Sequence, residues 1–257
     1  MAFDWNRYLQ LPMATLQDKR IEKTEFSARA GLSKKEQKLL HDLRRLTLYA
    51  AVSKDNTGIL PYTDEQYDIR GIMYFDCTLT KWDNAPALIT LLHRVFPNPT
   101  VLLMRTVDPF GGYRLSIGLK RKSLAEKGTA VVESMESTGI LDDMDASTAL
   151  LWNALAYGKL PQRDLLDYVH GIQDVVLAFN MVPRLGFMLR IDVLHRTTIR
   201  QELANLKRLD EKIRRLKAKR RDKTTTLGES AELRVIESGT TEETQNIVEH
   251  IKELCHD

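Results

Sequence analysis

The lysines and arginines between positions 207 and 223 are the residues whose type and spacing most clearly predict chemistry. This stretch holds ten Lys or Arg and three Asp or Glu, a formal charge of +7 by direct count, whereas the whole chain carries +3. Clustered cations bind nucleic-acid phosphate by releasing condensed counterions. The predicted contact residues are Lys207, Arg208, Lys212, Arg214, Arg215, Lys217, Lys219, Arg220 and Arg221. The alternative is a solvated helix face without a ligand.

The same stretch contains no aromatic residue, and this bears on the kind of nucleic acid it would bind. Proteins that hold single strands stack bases on aromatic side chains. The composition therefore favours duplex phosphate contact without sequence readout.

Apolar residues in the same segment follow a helical repeat. They are spaced by three, three, four and three residues, which approximates two heptads of a coiled-coil seam. The seam residues are Leu203, Leu206, Leu209, Ile213 and Leu216. We expect them to pack against another helix, in a partner protein, in a second copy of the chain, or in a coiled-coil assembly module that makes no nucleic-acid contact.

Asp76 and Lys120 suggest a second chemistry, since each falls in a predicted strand. Metal-dependent nucleases hold an ion between carboxylates on neighbouring strands, and they need at least two acids. Position 118, two residues before Lys120, is a glycine where an acid would be required. The alternative to a divergent nuclease is that Asp76 is a structural acid and Lys120 a surface charge.

Other catalytic or cofactor motifs are missing from the sequence. The six histidines form no His-Glu-x-x-His pair, and the glycines do not precede the Lys-Ser/Thr of a phosphate-binding loop. Cys77 and Cys255 are far apart, which predicts neither a disulfide nor a zinc site. We therefore predict no metal, no cofactor and no complete active site.

Targeting features are also missing. The N-terminus has no apolar signal core, and no segment approaches the roughly 18 apolar residues of a membrane helix. We expect a cytoplasmic protein that does not enter the membrane.

Residue patterns predict a mixed α/β (α+β) fold, with a β-sheet and packed helices, followed by a helical C-terminal region with a long basic helix. A Ser33–Glu36 capping box predicts a helix that continues through Leu48. The next helix lies between Asn84 and Pro97. The predicted strands span residues 69–79, 100–106, 113–120 and 129–135, and helical patterns resume at Ser147 and end at a break over residues 181–186.

Four segments follow from these elements. An irregular N-terminal arm spans residues 1–25 and an α/β domain spans 26–182. The basic leucine-seamed helix occupies 183–223. A tail over 224–257 contains a short helix that begins near Thr241.

Several packing and turn residues resemble those of a known bacterial family. They are Leu11-Pro12, Thr15, Lys19, Ile21, Lys23, Phe26, Leu32–Lys35, the strand from Ile72 to Leu79, Phe96–Pro99, the strand from Val101 to Arg105, and the basic helix itself. The family is a domain of unknown function, found in small proteins encoded beside helicase and DNA methyltransferase genes in restriction-modification-type phage-defence loci. Its terminal helix continues as a long charged coiled coil, whereas Thr224–Gly228 interrupts it here.

The resemblance implies a non-catalytic accessory subunit that docks a helicase or DNA methyltransferase. The family has no established catalytic residues, so none is carried over. Combined with the basic helix, this predicts DNA phosphate contact within a defence or DNA-processing complex.

Overall fold

A computed structural model of the chain describes residues 3–23, 31–108, 110–126, 128–189, 195–222 and 224–256. Three features of the sequence prediction lie outside these residues: the domain boundary at residues 25 and 26, Phe26 of the resemblance, and Lys223. The chain forms two compact units, Met1–Asn180 and Met181–Asp257. The division falls inside a helix rather than in a linker.

A six-stranded mixed sheet forms the centre of the first unit, in the order β1-β2-β5-β6-β7-β8. Its strands are β1 (Leu16–Arg20), β2 (Leu43–Ser53), β5 (Gly71–Leu79), β6 (Thr100–Thr106), β7 (Tyr113–Lys122) and β8 (Ala130–Ser137). A separate two-stranded ribbon consists of β3 (Tyr62–Thr63) and β4 (Asp68–Ile69). Among the described strands of the large sheet, β5 and β6 pair in parallel, and the crossover between them contains a helix.

Helices cover both faces of this sheet. Those of the first unit are α1 (Asn6–Leu9), α2 (Lys34–Leu39), α3 (Lys54–Thr57), α4 (Ala85–Val95), α5 (Ala146–Leu155) and α6 (Leu165–Leu185), of which α6 ends in the second unit. One apolar core joins the sheet to α5 and α6, and includes Trp152 and Tyr168. The other joins the opposite face to α4, and includes Phe75 and Leu92. The predicted α+β fold is confirmed.

The predicted helix after Ser33 is wrong beyond its first turns. The capping box is present, but the helix ends at Leu39, and Leu43, Leu46 and Leu48 lie in β2. Register shifts between Leu43 and Arg45 and between Leu48 and Ala50 interrupt the alternation of the strand. These bulges give the leucines of a strand a spacing that resembles that of a helix.

The first residues of the chain are also more ordered than predicted. Trp5, Leu9 and Leu11 are buried in the core, and Leu16–Arg20 pairs with β2 as the edge strand. The predicted break over residues 181–186 is wrong at its start, because α6 continues past Met181 through Pro183 and stops at Leu185. Gly186 ends it, with a positive φ of 81° and an amide that donates to the Val182 carbonyl.

The C-terminal unit contains two long helices, α7 (Arg196–Arg220) and α8 (Leu227–His256). The predicted short helix from Thr241 is therefore wrong, because α8 begins fourteen residues earlier. Among the described helices, none is both long enough and apolar enough to cross a bilayer.

Candidate nucleic-acid interface

The basic helix α7 has one apolar side. Ile199, Leu203, Leu206 and Leu209 are at most 3% exposed, and they recur at the three- and four-residue spacing of a helix face. Ile213 and Leu216 continue this face and are half-buried. The predicted leucine seam therefore exists as a continuous stripe.

The seam packs against α8 of the same chain. On α8 the matching buried residues are Leu233, Thr240, Thr244 and Ile251. The threonine hydroxyls donate to carbonyls four residues earlier, at 2.8 Å for Thr240 and 2.6 Å for Thr244, so they need no partner across the seam. Leu203, Leu206, Leu209, Ile213 and Leu216, which were predicted to pack against another helix, thus lie on the side of α7 that faces a helix of the same chain.

A capping box fixes the start of α8. Thr226 Oγ1 accepts from the Glu229 amide at 3.3 Å, and the Glu229 carboxylate accepts from the Thr226 amide at 2.9 Å. Each of the two side chains thus accepts a hydrogen bond from the backbone amide of the other residue. The Thr224–Gly228 segment thus follows the end of α7 and contains the start of α8, in agreement with the interruption of the basic helix noted in the sequence.

Side-chain contacts between charged and polar groups show that α7 and α8 run antiparallel. Glu237 of α8 lies opposite Lys217 and Arg220, whereas His250 lies opposite Glu202, at 3.3 Å between Nδ1 and Oε1. By direct count α7 carries a formal charge of +7 and α8 one of −5. The two helices α7 and α8 form a helical hairpin, which therefore joins a basic helix to an acidic one.

Four of the predicted contact residues form an outward stripe, which we define as Arg208, Lys212, Arg215 and Lys219. They are exposed and follow the spacing four, three, four, so they share one face of α7. With Glu211 and Leu216 they line a shallow depression of about 270 Å³. Arg215 lies 3.8 Å from Glu211, and at 83% exposure of the arginine this pair is weak.

Other predicted contact residues have different positions. Lys207, Arg214 and Arg221 recur every seven residues on a neighbouring line of the helix and are exposed. Lys217 and Arg220 lie on the side that faces α8, where both pair with Glu237. The nine predicted residues therefore do not form one surface.

Asp76 is buried and fully engaged by its neighbours. It accepts from Trp5 Nε1 at 3.0 Å, from Arg105 Nε at 3.3 Å and from Arg105 Nη2 at 3.4 Å. The arginine side chain is 21% exposed and the aspartate 4%. This is the structural acid that the sequence offered as the alternative to a nuclease residue.

Lys120 lies on the opposite face of the sheet, where it donates to the His93 carbonyl of α4. Burial lowers the pKa of Lys120 to about 8. Burial, followed by the charge of Lys120, also lowers the pKa of His93 to about 3, so the imidazole is neutral. Its Nε2 lies 2.9 Å from Ser116 Oγ. Lys120 is therefore not the surface charge of the alternative reading.

The structure does not bring Asp76 and Lys120 together. Asp76 faces Trp5 and the core of α5 and α6, whereas Lys120 faces α4. Gly118 could not be replaced by an acid without disturbance, because a Cβ there would lie 2.5 Å from His93 Nδ1. Within the described ranges no group of three or more His, Cys, Asp or Glu could hold a metal ion.

Sequence reasoning missed the acidic partner of the basic helix. The Thr226-x-x-Glu229 box and the acids of α8 were present in the sequence, but Gly239 and Thr240-Thr241 resembled a break. The ion pair between Arg184 and Asp210 was likewise not predicted from the sequence. It lies within the C-terminal unit.

Comparison with known proteins identifies a family but no characterised relative. No curated protein and no solved structure matches this chain. The family described as "Domain of unknown function (DUF4391)" matches residues 9–235, which include the sheet, α7 and the start of α8. The resemblance to an uncharacterised family is thereby confirmed, and the chain belongs to the DUF4391 family.

Proposed function

We propose that the C-terminal hairpin binds the phosphate backbone of duplex DNA through the outward stripe. The observation that supports this is the position of Arg208, Lys212, Arg215 and Lys219 on the face of α7 that points away from α8. Arg208, Lys212 and Lys219 make no ion pair within the part of the chain that the structure describes. Their charge is available to an external anion.

The length of the stripe suits several phosphates. From Arg208 to Lys219 there are eleven residue steps, which span about 16 Å at a rise of 1.5 Å per residue. One DNA strand carries a phosphate about every 3.4 Å along its axis, so the stripe extends over about five of them. A straight line of point charges of this length suits a backbone better than a small anion.

The acidic residues of α8 repel DNA bound to the outward stripe less strongly than their number suggests. Packed helix axes lie about 8–10 Å apart, so the outer face of α8 is farther than this from a ligand on the outer face of α7. The Debye length at physiological salt is about 8 Å. Repulsion from α8 is therefore largely screened, whereas direct phosphate contacts to the stripe are not.

Duplex DNA fits the hairpin better than single strands do. No Phe, Trp or Tyr follows Phe187 in the sequence, so neither α7 nor α8 offers a stacking surface for an unpaired base. Contact with phosphate alone carries no sequence information. The proposed binding is therefore non-specific.

The first unit would serve as the docking part of an accessory subunit, with a helicase or DNA methyltransferase of a restriction-type phage-defence complex as partner. Exposed apolar side chains support a docking role. Val107 and Phe110 lie in the β6–β7 connection, Phe110 at 93% exposure. Ile140 is also exposed. It lies beside Gly112 of this connection, because a Cβ atom added to Gly112 would be 2.9 Å from Ile140 Cγ2.

The DNA proposal is tested with two variants of equal charge change. One replaces the outward stripe with Gln, and the other replaces four exposed cations of the first unit, Lys34, Lys35, Lys38 and Arg44, with Gln. Affinity for a short blunt-ended duplex is measured against salt concentration. The stripe variant should bind much more weakly, and its log–log salt slope should fall by about 0.9 for each phosphate that it no longer neutralises.

The control variant should retain the wild-type affinity and slope. Equal reductions in both variants would show that only net charge matters. An unchanged affinity and slope in the stripe variant would rule out the proposed surface.

A further inference from the structure

Glu237 is held between two cations of the basic helix. Its Oε2 lies 3.0 Å from Arg220 Nη1 and its Oε1 lies 3.7 Å from Lys217 Nζ. The Glu237 side chain is 16% exposed, compared with 27% for Arg220 and 49% for Lys217. Partial burial strengthens such a pair relative to an exposed one, because water screens it less.

The two cations continue the seam of α7 beyond its last apolar residues. Lys217 follows Ile213 by four residues, and Arg220 follows Lys217 by three, so both face α8 rather than the outward stripe. Glu237 occupies the corresponding line of α8, four residues after Leu233 and three before Thr240. A charged cluster thus lies in the seam near this end of the hairpin, between Leu233 and Thr240 of α8.

We propose that Glu237 is an internal competitor for phosphate, which withholds Lys217 and Arg220 from the bound DNA. This inference rests on the proposed function and adds a regulatory element to it. Both side chains are long and flexible, and Arg220 adjoins Lys219 of the stripe and Arg221 at the end of α7. Once released, they would add up to two phosphate contacts. The coupling is reciprocal, so bound DNA would weaken the Glu237 pairs by the same factor.

The first experiment compares Glu237→Gln with Glu242→Gln on the same short blunt-ended duplex. The two substitutions change the net charge equally and lie five residues apart on α8, but Glu242 is exposed and makes no ion pair among the residues that the structure describes. Glu237→Gln should raise the affinity several-fold and steepen the salt slope by about 0.9 per released cation. Glu242→Gln should change the slope little.

One further variant keeps the test independent of any damage to the hairpin. The triple variant Glu237→Gln, Lys217→Gln, Arg220→Gln leaves no unpaired buried charge and should bind with nearly wild-type affinity and slope. Helicity measured by circular dichroism checks that each variant is folded. The triple variant should also lack the increase in affinity of the single Glu237→Gln variant, which isolates the coupling between these residues.

Each outcome separates this inference from the proposed function. If the wild type binds DNA but Glu237→Gln behaves like Glu242→Gln, or the triple variant binds much more weakly than the wild type, Glu237 withholds nothing and only this inference fails. If neither the wild type nor Glu237→Gln binds the duplex at low salt, both proposals fail.

Discussion

The charged side chains compared in the two units of the chain have opposite environments, buried in the first unit and exposed in the second. In the first unit Asp76 and Lys120 are buried, and each is engaged by groups of the surrounding core. In the C-terminal unit most cations of α7 are exposed, and the outward stripe points away from the helix that neutralises the seam side. Buried charges must be paired to be tolerated, whereas exposed charges can remain available to a ligand.

This difference separates structural charge from charge that can act on a partner. In the sequence, Asp76 and Lys120 on nearby strands resemble a catalytic pair, but their side chains lie on opposite faces of the sheet. A basic run resembles a simple charged helix, but the hairpin divides its cations into a paired set and an available set. The role of each charge depends on its neighbours more than on its residue type.

The largest expected effect is the replacement of Asp76. Asp76→Ala leaves Arg105 and the Trp5 indole without their acceptor in a mostly buried site. Removal of one partner of a buried pair costs about 3 kcal/mol or more. Urea denaturation followed by tryptophan fluorescence measures this destabilisation, since Trp5, Trp82 and Trp152 all belong to the first unit. Duplex affinity should not change.

An exposed pair serves as the control. Asp68 and Arg70 lie 2.9 Å apart, with the arginine 79% exposed, and Asp68→Ala should cost less than about 1 kcal/mol. If Asp76→Ala costs no more than this, Asp76 does not stabilise the fold as a buried, paired acid. Metal-dependent cleavage of plasmid DNA that disappears in Asp76→Ala would instead support the divergent nuclease.

A smaller effect is expected from Lys120, and it depends on pH. Because burial lowers the pKa of Lys120 to about 8 from the ordinary 10.5, the unfolded chain binds more protons than the folded chain between these values. The free energy of unfolding should therefore rise with pH from about 8 to about 10.5 through this residue. Below pH 8 Lys120 is protonated in both states, so its destabilising effect on the folded chain is complete and no longer changes with pH.

The variant Lys120→Met tests this sign. Its free energy of unfolding, measured by urea denaturation at several pH values, should lack the rise that the wild type shows. Tyrosines and other lysines titrate in both proteins, so the difference between the two curves reports Lys120 alone. Parallel curves would mean that Lys120 is solvated in the folded state.

The sequence predicted much of the sheet and the basic helix α7 but not the full length of α8, for physical reasons that differ. Strands β5 and β6 are apolar on both faces, and the helix between them is bounded by Asn84 and Pro97, so their boundaries could be read directly. Strand β2 was misread because its bulges disturb the two-residue period. Periodicity identifies regular elements and fails where register shifts occur.

Helix α8 was not recognised in the sequence as a neighbour of the seam for another reason. Helix α8 has a weakly apolar stripe in which Thr240 and Thr244 replace leucines, and Gly239 lowers its helix propensity. Its stability depends on packing against α7, a tertiary effect that local sequence does not contain. The outward stripe could be proposed as part of the basic run, but its separation from Lys217 and Arg220 required the position of Glu237.

The smallest expected effect concerns the cap that starts α8. Thr226→Ala removes the acceptor for the Glu229 amide and should destabilise the helix start by about 1 kcal/mol. Hydrogen exchange of the Glu229 amide should accelerate accordingly, and Thr226→Ser should restore its protection. Thr241→Ala provides the matched control, because that hydroxyl donates to a carbonyl within the helix and alanine favours helix there.

Equal destabilisation in Thr226→Ala and Thr241→Ala would mean that α8 is initiated by its packing rather than by its cap. An effect confined to Thr226→Ala, with the duplex affinity nearly unchanged, would show that the acidic helix can fray at its start while the outward stripe stays in place. The two sides of the hairpin would then differ in role as well as in charge: α8 supports the fold of α7, and α7 supplies the contact with phosphate.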